Sequence, residues 1–371
     1  MKITDVKVYL VGVHRQSWVF VKVETDEDLY GWGEGSLEGQ EKAVEDAVKV
    51  LSNRIVGMDP TLIERHWQVM YRHGFWRGGV VLNSALSAID QALWDITGKA
   101  YGVPVYKLLG GKVRDRIRAY THAFAPEQSV KLVKEGYLGI KAGGMPFRDN
   151  VEPSEVPSRL RESIKTLREA VGPDIEIMID NHGRAWPSLA IQQIRAVEEY
   201  RISFFEEPVP PDNLEALAEV RRNISGTDLA TGERLFSRWD YRKLIENQLV
   251  DIIQPDVCHC GGVSELRRIA AAAETYYIRV APHNPNGPVA TAASIQLSAA
   301  IPNFTTLEYA VPPEECMTVV KNPARQQDGY FPIPETPGMG IDLDEDAMKQ
   351  FPYREKSYEG VYYRDGGIAD V

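Results

Sequence analysis

Three apolar runs in this chain each stop at an acid and a turn, at nearly constant spacing. Ile175-Glu-Ile-Met-Ile ends at Asp180, Phe204-Phe205 at Glu206, and Leu229-Ala-Thr-Gly232 at Glu233, so the acids lie 26 and 27 residues apart. That is about the length of one strand-helix-strand repeat, which predicts three neighbouring parallel strands delivering carboxylates to the same end. Carboxylates gathered at one point repel one another unless a cation holds them, and an all-oxygen set suits Mg²⁺ rather than zinc. One strand-end acid alone would more often cap the next helix. Three in step point to a metal site with Asp180, Glu206 and Glu233 as its ligands.

The rest of the chain supplies the repeats that this reading needs. After Gly110-Gly111, strands are expected near 117–121, 138–142, 175–180, 203–207, 228–233, 251–255, 278–282 and 305–309. Helical runs such as 158–170, 189–200, 214–222, 238–246, 263–275 and 289–299 lie between them. Eight parallel strands with crossover helices are the count of a closed β/α barrel, with an open doubly wound sheet as the alternative. The first 115 residues differ in texture. They alternate over 3–11, 18–24 and 29–33, then turn helical over about 39–53, 60–72 and 80–100, which makes an α+β module. Gly31-Trp-Gly33-Glu-Gly35 closes a hairpin there and does not join a parallel strand to a helix, so it is a weak dinucleotide signal. The tail from about 335 is rich in Pro and Gly, then charged and aromatic, with no crossover unit. It is expected to fold back on the first module. The division is therefore 1–115, 116–334 and 335–371.

Composition narrows the function. A net charge of −11 argues against a nucleic-acid or anionic-membrane surface. No apolar run approaches 18 residues, and the opening residues alternate like a strand rather than a signal peptide. Three cysteines make no disulfide framework, so a soluble, cytoplasmic setting is expected. Cys258-His259-Cys260 lacks the further ligands of a soft-metal site and reads as rim structure.

In a barrel the active site forms at the C-terminal strand ends. Taken in order those ends offer Lys141, Asp180 with His182, Glu206, Glu233, Asp256, His283 and Glu308. Asp256 and His283 fall on adjacent strands, and an Asp beside a His fixes the imidazole tautomer and raises its basicity. His283 is thus a candidate general base.

Asp180-x-His182-Gly-Arg184, Glu206-Glu207-Pro208, Gly232-Glu233-Arg234, Gln254-Pro255-Asp256 and Pro282-His283-Asn284 together resemble the enolase superfamily, mandelate racemase subgroup. Within it the likeness is to the sugar-acid dehydratases, the D-galactonate dehydratases among them. It extends over nearly the whole chain, including Gly74-Phe-Trp-Arg-Gly78 and Lys107-Leu-Leu-Gly-Gly111. The resemblance implies a modified TIM barrel, (β/α)₇β, under an N-terminal α+β capping domain completed by the C-terminal tail.

It also implies roles. Asp180, Glu206 and Glu233 would hold Mg²⁺, His283 with Asp256 would take the proton at C2, and His182 would protonate the departing C3 hydroxyl. Glu308, kept protonated by its crowded neighbours, would hydrogen-bond the enolate oxygen. Related racemases carry Lys-x-Lys on the second strand; here it reads Ile140-Lys141-Ala142-Gly143, which disfavours two-base racemisation. The implied reaction converts an aldonic acid, D-galactonate first, to a 2-keto-3-deoxy acid. The alternatives are another aldonate or aldarate (gluconate, arabinonate, galactarate), racemisation or epimerisation of a 2-hydroxy acid, and a non-catalytic sugar-acid-binding regulator. Lys141, Arg15, Trp76, Arg77 and Asn181 are the candidate substrate contacts, and an even-numbered homo-oligomer is implied.

Overall fold

The computed structural model describes residues 1–14, 16–145, 150–356 and 360–370. Alternation at the start folds as an antiparallel meander of β1 (Ile3–Val13), β2 (Gln16–Thr25) and β3 (Tyr30–Glu34). Helices α1 (Glu41–Ser52), α2 (Ile63–Arg72) and α3 (Val80–Tyr101) complete this cap. Leu86, Ile89, Leu93 and Ile96 account for the face of α3 that packs with Val19, Val21 and Val23 of β2. The helix is nevertheless buried nearly all round, because its other side lies against the barrel. Where β3 crosses α3 the two backbones touch, and a Cβ on Gly33 would collide with the Ala88 carbonyl oxygen. The glycine-rich stretch is a packing device.

After the short helix α4 (Val105–Leu108) come the eight barrel strands. They are β4 (Arg116–His122), β5 (Gly139–Gly143), β6 (Glu176–Asp180), β7 (Ile202–Glu206), β8 (Asp228–Thr231), β9 (Ile252–Ile253), β10 (Arg279–Val280) and β11 (Leu307–Glu308). The first seven are followed by α5 (Pro126–Lys134), α6 (Val156–Val171), α7 (Pro187–Val197), α8 (Leu214–Asn223), α9 (Arg238–Glu246), α10 (Gly262–Glu274) and α11 (Pro288–Ala300). Consecutive strands pair in parallel, β11 returns to β4, and a parallel bridge from Val280 to Phe304 closes the ring. A 3-10 turn, Glu314–Val319, follows β11 in place of a crossover helix. The architecture is (β/α)₇β, as the resemblance implied, and the open-sheet alternative is excluded.

The barrel interior explains how the site is built. Tyr120, Met178, Phe204, Ala230, Ile252 and Ala281 form one buried apolar layer. Side chains two residues apart on a strand share a face. Two steps beyond Tyr120, Met178, Phe204 and Ala281 stand His122, Asp180, Glu206 and His283. The polar layer thus rests directly on an apolar floor. Gly139 keeps that floor filled, since a Cβ there would lie 2.9 Å from the Met178 methyl and 3.1 Å from the Tyr120 Cβ.

Cap and barrel are joined through helix ends. Neither α10 nor α11 has a side-chain cap from its own N-cap residue. Glu34 of β3 accepts from Gly287 N at 2.6 Å and Ala290 N at 2.9 Å, and Asp90 of α3 accepts from Ser264 N at 3.0 Å. Both carboxylates come from the cap and satisfy helix donors of the barrel. Burial raises each carboxyl to about 7, against the pull of these donors. The tail lies on the same module. Glu345 binds Lys22 and the Tyr9 hydroxyl, each at 2.6 Å, and Asp342 accepts from Trp32 Nε1 at 3.0 Å.

Candidate active site

Register sets the first part of the site. Asp180 and Glu206 are direct partners across β6 and β7, and Glu233 follows two residues beyond the end of β8. One carboxylate oxygen from each lies within 4.8 Å of the others. Lys141, only 4% exposed, sits against this cluster, 3.3 Å from Asp180, 3.1 Å from Glu206 and 2.8 Å from Glu308. Burial and the nearby Asp180 charge push Glu206 well up. Burial acts the same way on Asp180, but Lys141 and His182 outweigh it and hold that carboxyl down.

The donor set fits a hard divalent cation. Asp180, Glu206 and Glu308 set three carboxyls around Lys141, and the three acids that converge, Asp180, Glu206 and Glu233, offer only oxygen. Glu233 Oε2 is buried and accepts no hydrogen bond among the described residues; His283 Nε2 lies 3.2 Å away but not in hydrogen-bonding geometry. A buried carboxylate oxygen without a donor is what a metal ligand leaves behind.

Beside the cluster stands the imidazole pair. His283 Nδ1 lies 2.7 Å from Asp256 Oδ2, which leaves Nε2 toward Glu233. Cys258 N at 2.6 Å and Asn286 Nδ2 at 2.8 Å also donate to Asp256. Burial would lower the basicity of His283, but Glu233, Glu308 and Asp256 outweigh it and raise the ring well above its ordinary range. His182 reaches the cavity from the turn after β6, with backbone φ of 50°. Its Nε2 is 2.9 Å from Asp180 Oδ2, and Arg184 donates to its Nδ1 at 3.1 Å. Asp180 raises this ring too, against burial. The residues next to the clustered acids act as braces. Arg234 forks onto Glu207 at 2.9 and 2.6 Å and donates to the His182 carbonyl at 3.0 Å.

Glu308 requires a correction. It was expected to be protonated and to donate, yet Lys141 Nζ, the Tyr120 hydroxyl and Asn284 N donate to it, and His122 Nε2 also binds it. Burial would raise this carboxyl, but Lys141, His283 and His122 together hold it well below the usual range. In this arrangement Glu308 is an acceptor. His122, which binds Glu308 through Nε2, is a residue that the sequence reading passed over. The strand-end rule applied to Lys141 on β5 would have found it, because His122 ends β4 and is the register partner of Lys141.

The candidate substrate contacts divide. A cavity of about 580 Å³ is lined by Lys141, Asp180, His182, Glu233, His283 and Glu308, with Ser36, Leu37 and Val80 from the cap. Asn181 is not part of its wall; its amide is turned into the protein, donating to the Pro208 carbonyl at 3.1 Å and accepting from Gln193 at 2.9 Å. Trp76, 85% exposed, and Arg77, over the Tyr71 ring, also lie outside the lining. Their segment projects from the cap between α2 and α3. Arg15 lies outside the described residues. Cys258 and Cys260 are buried free thiols, pushed up by burial, and neither joins a metal-ligand cluster among the described residues.

A capped (β/α)₇β barrel with acids and imidazoles on its C-terminal rim defines the enolase-like class of proteins. Residues 125–347 match the family described as enolase C-terminal domain-like, and residues 2–110 match the mandelate racemase / muconate lactonizing enzyme N-terminal domain. The chain belongs to this mandelate racemase / muconate lactonizing enzyme family. It is 38% identical over 387 aligned positions to D-galactonate dehydratase of Ralstonia pickettii (strain 12J), and 37% identical over 385 to that of Klebsiella pneumoniae (strain 342). Both alignments cover 100% of each chain. Among solved structures, an enolase from Agrobacterium radiobacter bound to Na and L-malate superposes with a TM-score of 0.94 at 33% identity, covering 100% of both chains. An enolase-superfamily member from Salmonella Typhimurium gives 0.89 at 35% identity, covering 95% of this chain and 98% of that one.

Proposed function

We propose that this protein is a Mg²⁺-dependent dehydratase of an aldonic acid, with D-galactonate the leading substrate. The observation that carries the reading is the Asp180, Glu206 and Glu233 cluster standing beside the Asp256–His283 pair in one cavity. Whole-length similarity to D-galactonate dehydratases supports the reaction class.

The proton next to a carboxylate is very weakly acidic, because its loss adds charge to a group already negative. Held by Asp180, Glu206 and Glu233, Mg²⁺ would supply the positive charge that offsets this. His283 takes the C2 proton through Nε2, while Asp256 fixes the ring through Nδ1 and stabilises the imidazolium. His182 gives its proton to the C3 hydroxyl, which leaves as water. The C2–H and C3–O bonds break, a C2=C3 double bond forms, and the enol tautomerises to a 2-keto-3-deoxy acid. Lys141 holds the buried acids in place and lies where a substrate carboxylate would meet it. In this reading residues 116–334 carry the chemistry, while the cap (1–115) and tail (335–371) shape the entrance. An even-numbered homo-oligomer in the cytoplasm completes the proposal.

The test is a library of diastereomeric aldonic and aldaric acids incubated with enzyme and Mg²⁺, read for 2-keto acid. Turnover confined to aldonates is expected. Deuterium uptake at C2 in D₂O without loss of hydroxyl would favour epimerisation instead, and ligand-dependent thermal shifts without any turnover would favour a binding protein.

A further inference from the structure

His122 plays no part in the reaction as drawn so far, yet its placement is that of a working residue. It ends β4, beside Lys141 in register, and lines the same cavity as His182 and His283. Its Nε2 binds Glu308 Oε1, and Glu308 comes from β11, the other neighbour of β4. The ring is therefore fixed from one side by an acid on the adjacent strand. This is the arrangement of His283 on Asp256 with the nitrogens exchanged: Asp256 holds Nδ1 and leaves Nε2, whereas Glu308 holds Nε2 and leaves Nδ1. That Nδ1 has no hydrogen-bond partner among the described residues, although the ring is three-quarters buried and packs edge-on against Phe124.

Glu308 cannot itself address a ligand as a donor in this geometry. Both of its oxygens are engaged within the protein: Lys141 Nζ at 2.8 Å and the His122 ring meet Oε1, and the Tyr120 hydroxyl and Asn284 N, each at 3.3 Å, donate to Oε2. A hydrogen bond toward the cavity at this point must come from the group that Glu308 holds. The location also fixes what that bond would reach. Lys141 bridges Glu308 to Glu206 and Asp180, so the Glu308–His122 pair flanks the end of the cavity where a cation held by the acid cluster would draw a carboxylate.

We infer that His122 is a further catalytic residue: held through Nε2 on Glu308, it presents Nδ1 to the substrate's carboxylate end and supplies the hydrogen bond that Glu308 does not. The inference rests on the dehydratase reading for the identity of the substrate. It does not need that reading for the contact. Carrying a proton at Nδ1, the ring links Glu308 to a carboxylate oxygen, and the bond strengthens as negative charge builds there when C2 loses its proton.

Two isosteres separate contact from scaffolding. In His122→Asn the amide nitrogen stands where Nδ1 was and the link to Glu308 is lost; in His122→Gln the amide reaches Glu308 and the Nδ1 position is empty. C2 proton exchange and kcat with D-galactonate and Mg²⁺ should fall about 100-fold in His122→Gln, the size of losing one such donor, with KM moving much less. His122→Asn should stay within about tenfold of wild type on the same scale. The second measurement is calorimetric binding of glycerate, which carries the first three carbons of every aldonic acid, in the presence of Mg²⁺. Affinity should weaken in His122→Gln and be kept in His122→Asn. Rescue by Gln and not by Asn would make His122 a prop for Glu308 and overturn the inference, as would equal affinity in all three proteins or no glycerate binding by the wild type. If the wild type binds glycerate but dehydrates no sugar acid, the dehydratase reading fails while the binding series still decides the role of His122.

Discussion

Replacing Lys141 by Met tests the electrostatics of the site most directly. The substitution keeps the stem and removes one charge that lies within 3.3 Å of Asp180, Glu206 and Glu308, all buried or nearly so. Removing one partner of a buried pair costs about 3–5 kcal/mol, since the remaining charge is left without compensation. Three partners share this lysine, but protonation of one of them relieves part of the strain, so the range as a whole applies. For a chain of this size a loss of that order lowers the melting midpoint by roughly 4–6 °C. A divalent cation held by the same acids should restore much of it. Mg²⁺ at 100 times its Kd stabilises by about 2.7 kcal/mol, and the variant should bind it more tightly because the competing ammonium is gone. The assay is a thermal melt of both proteins in EDTA and in excess MgCl₂. The expected pattern is a large deficit in EDTA, a Mg²⁺ shift greater in Lys141→Met than in wild type, and little activity in the variant under either condition. Equal melting in EDTA, or a smaller Mg²⁺ shift in the variant, would refute both the hub role of Lys141 and the placing of the cation.

Three further outcomes follow from particular contacts. His283→Asn should abolish C2 proton exchange in D₂O, whereas His182→Asn should stop elimination and leave exchange measurable; full dehydration by His182→Asn would remove that residue from its assigned role. Glu34 and Asp90, both raised to about 7, contribute stability that is complete below the unfolded carboxylate range and is lost as pH rises through 7. Each accounts for on the order of 3 kcal/mol, so denaturant midpoints of Glu34→Gln with Asp90→Asn should fall less steeply between pH 5 and 8 than those of wild type, and parallel profiles would contradict this. Gly33→Ala drives a methyl into the Ala88 carbonyl where β3 crosses α3, and should loosen the cap by about 1–3 kcal/mol, read as faster proteolysis of residues 1–110 than of the barrel.

Much of the architecture was legible before any coordinates. The strand end at Asp180 was read to the residue and that at Glu206 to within one, because an apolar run that stops at an acid and a turn is a local signal. The short strands β9, β10 and β11 were placed but overextended: 251–255 against Ile252–Ile253, for instance. Pro255 and Pro282 follow β9 and β10 closely and cut the ladder short there. That Asp180, Glu206 and Glu233 come together could also be read, since equal spacing in a repeating unit puts equal positions at equal heights.

The chain alone therefore determines which residue types stand on the rim, because each βα repeat reports its own strand end without help from the others. Tertiary structure decides which of them touch. His122 meets Glu308 across 186 residues of sequence because β11 closes on β4, and that closure makes Glu308 an acceptor. Asn181 faces away from the cavity because neighbouring side chains at a strand end alternate in direction, and Pro208 and Gln193 were waiting on the other side. Spacing along the chain carries height in the barrel; contact around its circumference exists only once the sheet has closed.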